Sequence, residues 1–167
     1  MKSVGFRAEC EGINWAIVQG STAQPVLIAY DYIPAPKVNA EPARLAYFRE
    51  RVLAVVRLHE PASAFVRFPE AYGRGNKNIT SNDARLRVEG VILEALNASG
   101  VRVLTGALRP IAARLGSDEP KAYLSRDDLR GLAFPRKAPN SREAILAAVA
   151  ALECHNADDA NGCPGAG

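Results

Sequence analysis

Residues 2–33 read KSVGFRAECEGINWAIVQGSTAQPVLIAYDYI and contain three apolar runs separated by short polar turns. The runs at 2–8, 13–20 and 25–33 are rich in β-branched and aromatic residues, which predicts three strands. The connections between them are short, and Gly12 supplies the backbone freedom that a tight turn needs. Strands joined in this way pair side by side, so this stretch predicts an antiparallel meander.

After the meander the apolar residues change to a helical period. Apolar side chains fall on one face over about 42–59, which predicts a helix, and a short buried strand is predicted at 63–68. A second helix is predicted over about 81–99 and a further strand at 101–104. A helix that returns to a parallel strand is a right-handed crossover unit. We expect Gly90, inside the second helix, to mark a close approach to the sheet, because glycine weakens a helix otherwise.

The last third of the chain is predicted to be helical. The apolar pattern favours short helices at 108–115 and 127–132 and a longer final helix at about 141–154. We expect one domain over residues 1–155 and a disordered, glycine-rich tail over 156–167. The sequence therefore predicts an α/β fold with a five-stranded mixed sheet, three antiparallel strands followed by two parallel ones, flanked by helices.

Composition excludes few functions. The 167 residues are 48% hydrophobic and 23% charged, with a net charge of +3, as in an ordinary globular domain that is able to bind nucleic acid. No stretch approaches the roughly 18 apolar residues of a membrane helix, and the start does not resemble a signal peptide. The odd number of cysteines, namely Cys10, Cys154 and Cys163, favours a reducing compartment. We therefore expect a cytoplasmic protein.

Two arginines end predicted strands of the sheet. Arg7 follows the apolar run of the first strand, and Arg67 follows that of the fourth. The ends of strands in an open α/β sheet are where ligands and metals usually bind. Magnesium there requires carboxylate oxygens, which a guanidinium group cannot supply.

The order βββαβαβ followed by helices resembles the RNase H-like (ribonuclease H-like) superfamily, and in particular its RuvC-type Holliday junction resolvases. The resemblance is carried by Val4-Gly5-Phe6-Arg7, by residues 12–18, by Ala64-Phe65-Val66-Arg67 and by residues 84–92 in the second long helix. It implies a nuclease scaffold in which four carboxylates, from the first strand, the fourth strand and the final helix, hold two magnesium ions. Two metals there would stabilise the attacking and leaving oxygens of a phosphodiester.

Position by position, this chain departs from that acidic set. The four positions fall on Arg7, Arg67, Asn140 and Glu143, so that only Glu143 is acidic. We therefore predict that Arg7, Arg67 and Glu143 converge and that a bidentate Arg–Glu contact replaces neutralisation by metal. This interpretation makes the protein a RuvC-like pseudonuclease that needs no cofactor. A simpler alternative is that Glu143 completes a capping box with Asn140 as the N-cap residue.

A second hypothesis is that the protein is an active enzyme whose metal site has shifted. Glu9, Glu70 and Glu143 would form a shifted carboxylate site for magnesium or manganese, and the protein would then be a metal-dependent nuclease.

The partner predicted for the pseudonuclease is DNA or RNA. The loop 69–78 is glycine-rich and basic, and we expect Arg74, Lys77 and the nearby Arg85 to contact phosphates while Tyr72 stacks on an unpaired base. A third hypothesis is a protein-binding scaffold, such as a homodimer formed through the second long helix, without nucleic acid. No membrane partner is expected.

Overall fold

The structure is a computed structural model that describes residues 1–38, 40–70, 79–117, 119, 121–135 and 139–152. Its strands are β1 (Lys2–Ala8), β2 (Gly12–Gly20), β3 (Pro25–Pro34), β4 (Ser63–Arg67), β5 (Arg102–Gly106), β6 (Asp128–Leu129) and β7 (Leu132–Ala133). Its helices are α1 (Glu41–His59), α2 (Ile79–Ala98), α3 (Leu108–Arg114), α4 (Ala122–Ser125) and α5 (Pro139–Ala151). The predicted tail 156–167, together with Cys154 and Cys163, lies outside the described residues.

The main sheet has five strands in the order β3-β2-β1-β4-β5. The pairs β1–β2 and β2–β3 are antiparallel, whereas β1–β4 and β4–β5 are parallel. This arrangement confirms the predicted fold class. Helix α1 connects the edge strand β3 to β4, and α2 connects β4 to β5, so each parallel strand follows a helix.

The two faces of the sheet bury separate cores. Val4, Phe6 and Ala8 of β1 point toward α1 and α2, and all three are fully buried. The alternate residues Ser3, Gly5 and Arg7 point to the other face, which α5 covers. Strand β1 is therefore buried on both sides, as central strands of such sheets usually are.

Helix α5 lies unusually close to the sheet. Ser3 Oγ donates to the Ala148 carbonyl at 2.6 Å, and Ser63 Oγ donates to the Ala151 carbonyl at 2.7 Å. A Cβ on Gly5 would come well under 3.0 Å from backbone atoms of Ala144 and Ala148. Small side chains on both surfaces thus allow backbone to approach backbone.

The close approach occurs at Gly5 and not at Gly90, so the expectation for Gly90 is wrong. Gly90 is exposed on α2, and a Cβ there would meet nothing within 4 Å. The glycine that the packing requires is in a strand, where sequence periodicity gives no hint of which helix will cross it.

The predicted helix over 127–132 is also wrong, because this segment is a hairpin of β6 and β7. Arg130 and Gly131 form its turn with φ values of 54° and 83°. Positive φ at both central residues matches a two-residue hairpin turn that twists with its strands, and it is incompatible with a helix. Leu129 and Leu132 face each other across the turn and are both buried.

In the part of the chain that the structure describes, no helix is both long and apolar enough to cross a membrane.

Candidate functional site

One row of residues crosses the sheet at the ends of its central strands. Register pairs Tyr32 of β3 with Asn14 of β2, Asn14 with Arg7 of β1, and Arg7 with Arg67 of β4. Directly paired residues project on the same face of a sheet, so this row lies on the α5 side. The start of α5 passes over it, because Ser141 Oγ donates to Asn14 Oδ1 at 3.1 Å.

Glu143 of α5 binds both arginines of this row. Its Oε2 accepts a hydrogen bond from Arg7 Nε at 2.7 Å and lies 2.8 Å from Arg67 Nε. The second contact is an ion pair without hydrogen-bond alignment, since the Arg67 Nε–H finds no acceptor among the described residues. The side chains of Arg7, Arg67 and Glu143 are only 14%, 6% and 12% exposed. The predicted convergence of these three residues is confirmed. The predicted bidentate contact is wrong, because each arginine approaches Glu143 through its Nε and both approach the same oxygen.

Each guanidinium group is also tied to its own strand end. Arg7 Nη1 donates to the Ala8 carbonyl, and Arg67 Nη1 donates to the Phe68 carbonyl at 2.7 Å. Burial lowers the pKa of Arg67, the Glu143 carboxylate opposes that change, and the Arg7 charge adds to it. The unperturbed pKa of arginine is so high that Arg67 remains a cation at neutral pH despite its burial. The Glu143 carboxylate thus forms ion pairs with two mostly buried arginines.

Asn140 and Glu143 do not form a capping box. Helix α5 begins at Pro139, so Asn140 lies inside its first turn and Glu143 reaches the arginines instead. Proline suits a first helical position, because its missing N–H would have no helical partner there. The Asn140 amide donates to Glu9 Oε1 at 2.6 Å.

The acids of the alternative metal site have separate partners. Glu9 Oε1 accepts from the amides of Asn140 and Asn14. Glu70 Oε1 accepts the Leu108 backbone N–H at 2.9 Å, at the start of α3, and lies 3.5 Å from Arg67 Nη2. Within the described ranges, no group of three or more His, Cys, Asp or Glu residues is placed to hold a metal ion. Glu9, Glu70 and Glu143 therefore do not come together as one site.

Glu89 is a buried acid that the sequence pattern did not reveal. It lies on α2 with only 4% of its surface exposed, and its Oε1 is 3.5 Å from Arg85 Nε. Neither of these two atoms has a hydrogen-bond partner among the described residues. The spacing of four residues between Arg85 and Glu89 was the available signal, because residues i and i+4 are neighbours on a helix.

The residues predicted to bind nucleic acid are only partly described. Arg85 packs against Glu89 with its side chain 14% exposed, so it is not the free surface cation that the prediction assumed. Tyr72, Arg74 and Lys77 lie outside the described residues.

Burial of Glu89 predicts a specific pH dependence of stability. Burial raises its pKa above the ordinary 4.5, while Arg85, Arg7 and Arg67 act in the opposite direction. Folding therefore favours the protonated carboxyl, and this contribution should be lost as pH rises from about the ordinary value through the raised folded pKa. Urea unfolding of wild type and Glu89→Gln across that range should show a steeper fall for the wild type. Parallel curves would contradict this assignment.

No known protein-family profile matches the chain, and no curated protein matches it either. Several solved structures are similar to this chain in fold. RuvC from Thermus thermophilus in complex with a Holliday junction substrate superimposes with a TM-score of 0.69 and 18% sequence identity. The match covers 90% of this chain and 91% of that one.

A second solved structure agrees. The yeast mitochondrial Holliday junction resolvase Ydc2 matches with a TM-score of 0.58 and 9% identity, covering 89% of this chain and 77% of that one. At such low identities the likeness is one of fold. The sheet order, the placement of the helices and these matches together show that the chain has the RuvC-like form of the RNase H-like fold.

Proposed function

We propose that this protein is a RuvC-like pseudonuclease that binds nucleic acid without cleaving it by a metal-dependent mechanism. The observation that carries the proposal is the pairing of Glu143 with Arg7 and Arg67, at 2.7 and 2.8 Å, where the resemblance implies a metal-binding set of acids. Guanidinium groups repel divalent cations, and the Glu143 oxygen closest to them is already paired. The described residues at this place do not fit magnesium or manganese.

Nucleic acid is the proposed ligand because of the fold. The similar RuvC structure holds a Holliday junction, and this chain matches it over nine-tenths of both lengths. The net charge of +3 is modest, so phosphate contacts alone would give weak, salt-sensitive binding. Branched or single-stranded DNA or RNA is thus the ligand class to test first.

A protein-binding scaffold is the second candidate. Strand β3 lies at the edge of the sheet and exposes four large apolar residues, Val26, Ile28, Tyr30 and Tyr32. Exposed apolar surface of this kind often marks an interaction site. A homodimer through α2, where Leu86 is 49% exposed, stays a prediction.

The test separates binding from cleavage. Branched, duplex and single-stranded DNA and RNA are titrated with the protein in EDTA, in Mg²⁺ and in Mn²⁺, and each mixture is scored for complex and for product. We expect similar complex formation in all three buffers and no product. Calorimetry should detect no stoichiometric Mn²⁺ site. Cleavage by the wild type that Glu143→Gln abolishes would overturn the proposal.

The same experiment tests the predicted loop. In a salt series, each phosphate contact contributes about −0.9 to the log–log slope on duplex DNA. The double variant Arg74→Ala with Lys77→Ala should therefore bind with a shallower slope than the wild type. Equal slopes would remove the loop from the interface.

A further inference from the structure

We infer that the outer side of β3, with Tyr30 as its centre and Tyr32 at one end, is a stacking platform for unpaired bases of single-stranded nucleic acid. This inference rests on the proposed function and adds a surface that the sequence pattern did not reveal. It starts from the register of the sheet, because Tyr32 begins the row that continues through Asn14 and Arg7 to Arg67.

Both tyrosines face the α5 side of the sheet but lie beyond the helix. Tyr30 pairs with Ala16, which belongs to the α5 core, and Tyr32 pairs with Asn14, which contacts α5. Helix α5 packs mainly over β1, β2 and β4, so it leaves the two rings 45% and 38% exposed. Neighbouring strands are about 4.8 Å apart, which puts Tyr32 about 10 Å from Arg7, within the reach of one or two nucleotides.

A break in the pairing enlarges this surface. Ala29 pairs with Ile17 and Leu27 pairs with Val18, so Ile28 is an extra residue at a bulge in β3. Bulges bend the strand and re-aim side chains. Ile28 is 46% exposed and lies two residues before Tyr30. These two residues and Tyr32 make up the exposed apolar strip of this edge strand.

The charges around the strip favour contact through bases. The exposed Arg130 in the β6–β7 turn donates to the carbonyls of Thr22 and Leu115, which places it beside the turn that leads into β3. At the other end, burial raises the pKa of Tyr32, and the Glu9 and Glu11 carboxylates raise it further, so negative charge lies near that ring. A phosphate would be repelled there, whereas the neutral face of a base would not.

Single-stranded nucleic acid is the occupant that we propose for the strip. A base has a flat apolar face that stacks on a half-exposed tyrosine, and its flexible backbone can leave the strip toward Arg130. A second copy paired edge to edge along β3 would also cover the strip, and sedimentation distinguishes that outcome.

The test compares oligonucleotides with and without bases. Fluorescence anisotropy measures the Kd of wild type for labelled dT20 and for an abasic strand of the same length at one salt concentration. Stacking predicts that dT20 binds more tightly. Tyr30→Ala should weaken dT20 binding by about 5- to 100-fold and leave abasic binding unchanged, because one base–aromatic contact is lost.

Matched variants make the result specific. Tyr30→Phe keeps the ring and should bind like the wild type, which also shows that position 30 tolerates substitution. Leu58→Ala removes an apolar side chain that is 76% exposed on α1, on the opposite face, and should change neither Kd. Thermal melts confirm that each variant is folded.

The failures can be told apart. If the wild type binds no nucleic acid of any kind, the proposed function falls and this inference falls with it. If it binds dT20 and the abasic strand equally, or if Tyr30→Ala binds like the wild type, only the stacking platform is overturned. Sedimentation that shows a dimer lost in Tyr30→Ala would assign the strip to self-association and would likewise overturn it.

Discussion

Replacing Gly5 by alanine should leave little folded protein. The added Cβ would come well under 3.0 Å from backbone atoms of Ala144 and Ala148, and backbone cannot rotate away as a flexible side chain can. Helix α5 would have to lift from the sheet, which would also break the bonds that Ser3 and Ser63 donate to it. Overpacking of this kind costs about 1–3 kcal/mol and occasionally more. We expect the upper end or beyond, measured by urea unfolding or as loss of soluble protein.

Gly90 supplies the matched control. It is exposed in the middle of α2, and a methyl group added there would meet nothing within 4 Å, so alanine should add helix propensity without a clash. Gly90→Ala should raise the free energy of unfolding by about 0.5–1 kcal/mol. If the two variants behave alike, the close approach of α5 to β1 is not real.

Glu143→Gln should also destabilise the protein strongly. The amide keeps the shape of the side chain but removes the negative charge that contacts both Arg7 and Arg67, which are mostly buried. Among the described residues, Arg67 would then keep a carboxylate contact only with Glu70, at 3.5 Å, and Arg7 would keep none. Breaking a buried pair by removing one partner costs about 3–5 kcal/mol. Denaturant unfolding at low and high salt should show the loss, which added salt relieves only partly.

An exposed pair provides the comparison. Glu94 is 2.7 Å from Arg49, but both side chains are largely exposed, so Glu94→Gln should change stability little. Adding Arg67→Met to Glu143→Gln should recover part of the loss, because it removes one of the two neighbouring positive charges. Equal and small effects of Glu143→Gln and Glu94→Gln would mean that water screens the buried cluster as well.

The sequence carried enough information to predict the sheet, and the resemblance added the convergence of the cluster. The strands and α1 follow from the apolar period. That Arg67 lies next to Arg7, with Glu143 beside them, was implied by the resemblance to the RuvC-type family, in which the elements that carry these positions meet. A prediction of this kind survives small errors in where each element begins or ends.

The wrong or missing predictions concern features that tertiary packing determines. The hairpin over 128–133 has strands of two residues, which are too short for any period to appear, and its turn depends on the conformation of Arg130. Glu89 looks like a surface residue in sequence because its spacing from Arg85 predicts an ion pair but not that the pair is buried. The Tyr30 surface was missed because apolar strand residues predict burial, whereas β3 lies at an edge that α5 does not cover.

The shared carboxylate also constrains how such a protein can change by mutation. Converting Arg7 alone to an acid would place a second negative charge beside Glu143 and leave one arginine to balance both. Losing Glu143 alone would leave Arg7 and Arg67 without the carboxylate that they share. Loss of Glu143, or replacement of one arginine by an acid, is therefore expected to give a less stable protein. The charges of this cluster should then change together at several positions rather than one at a time.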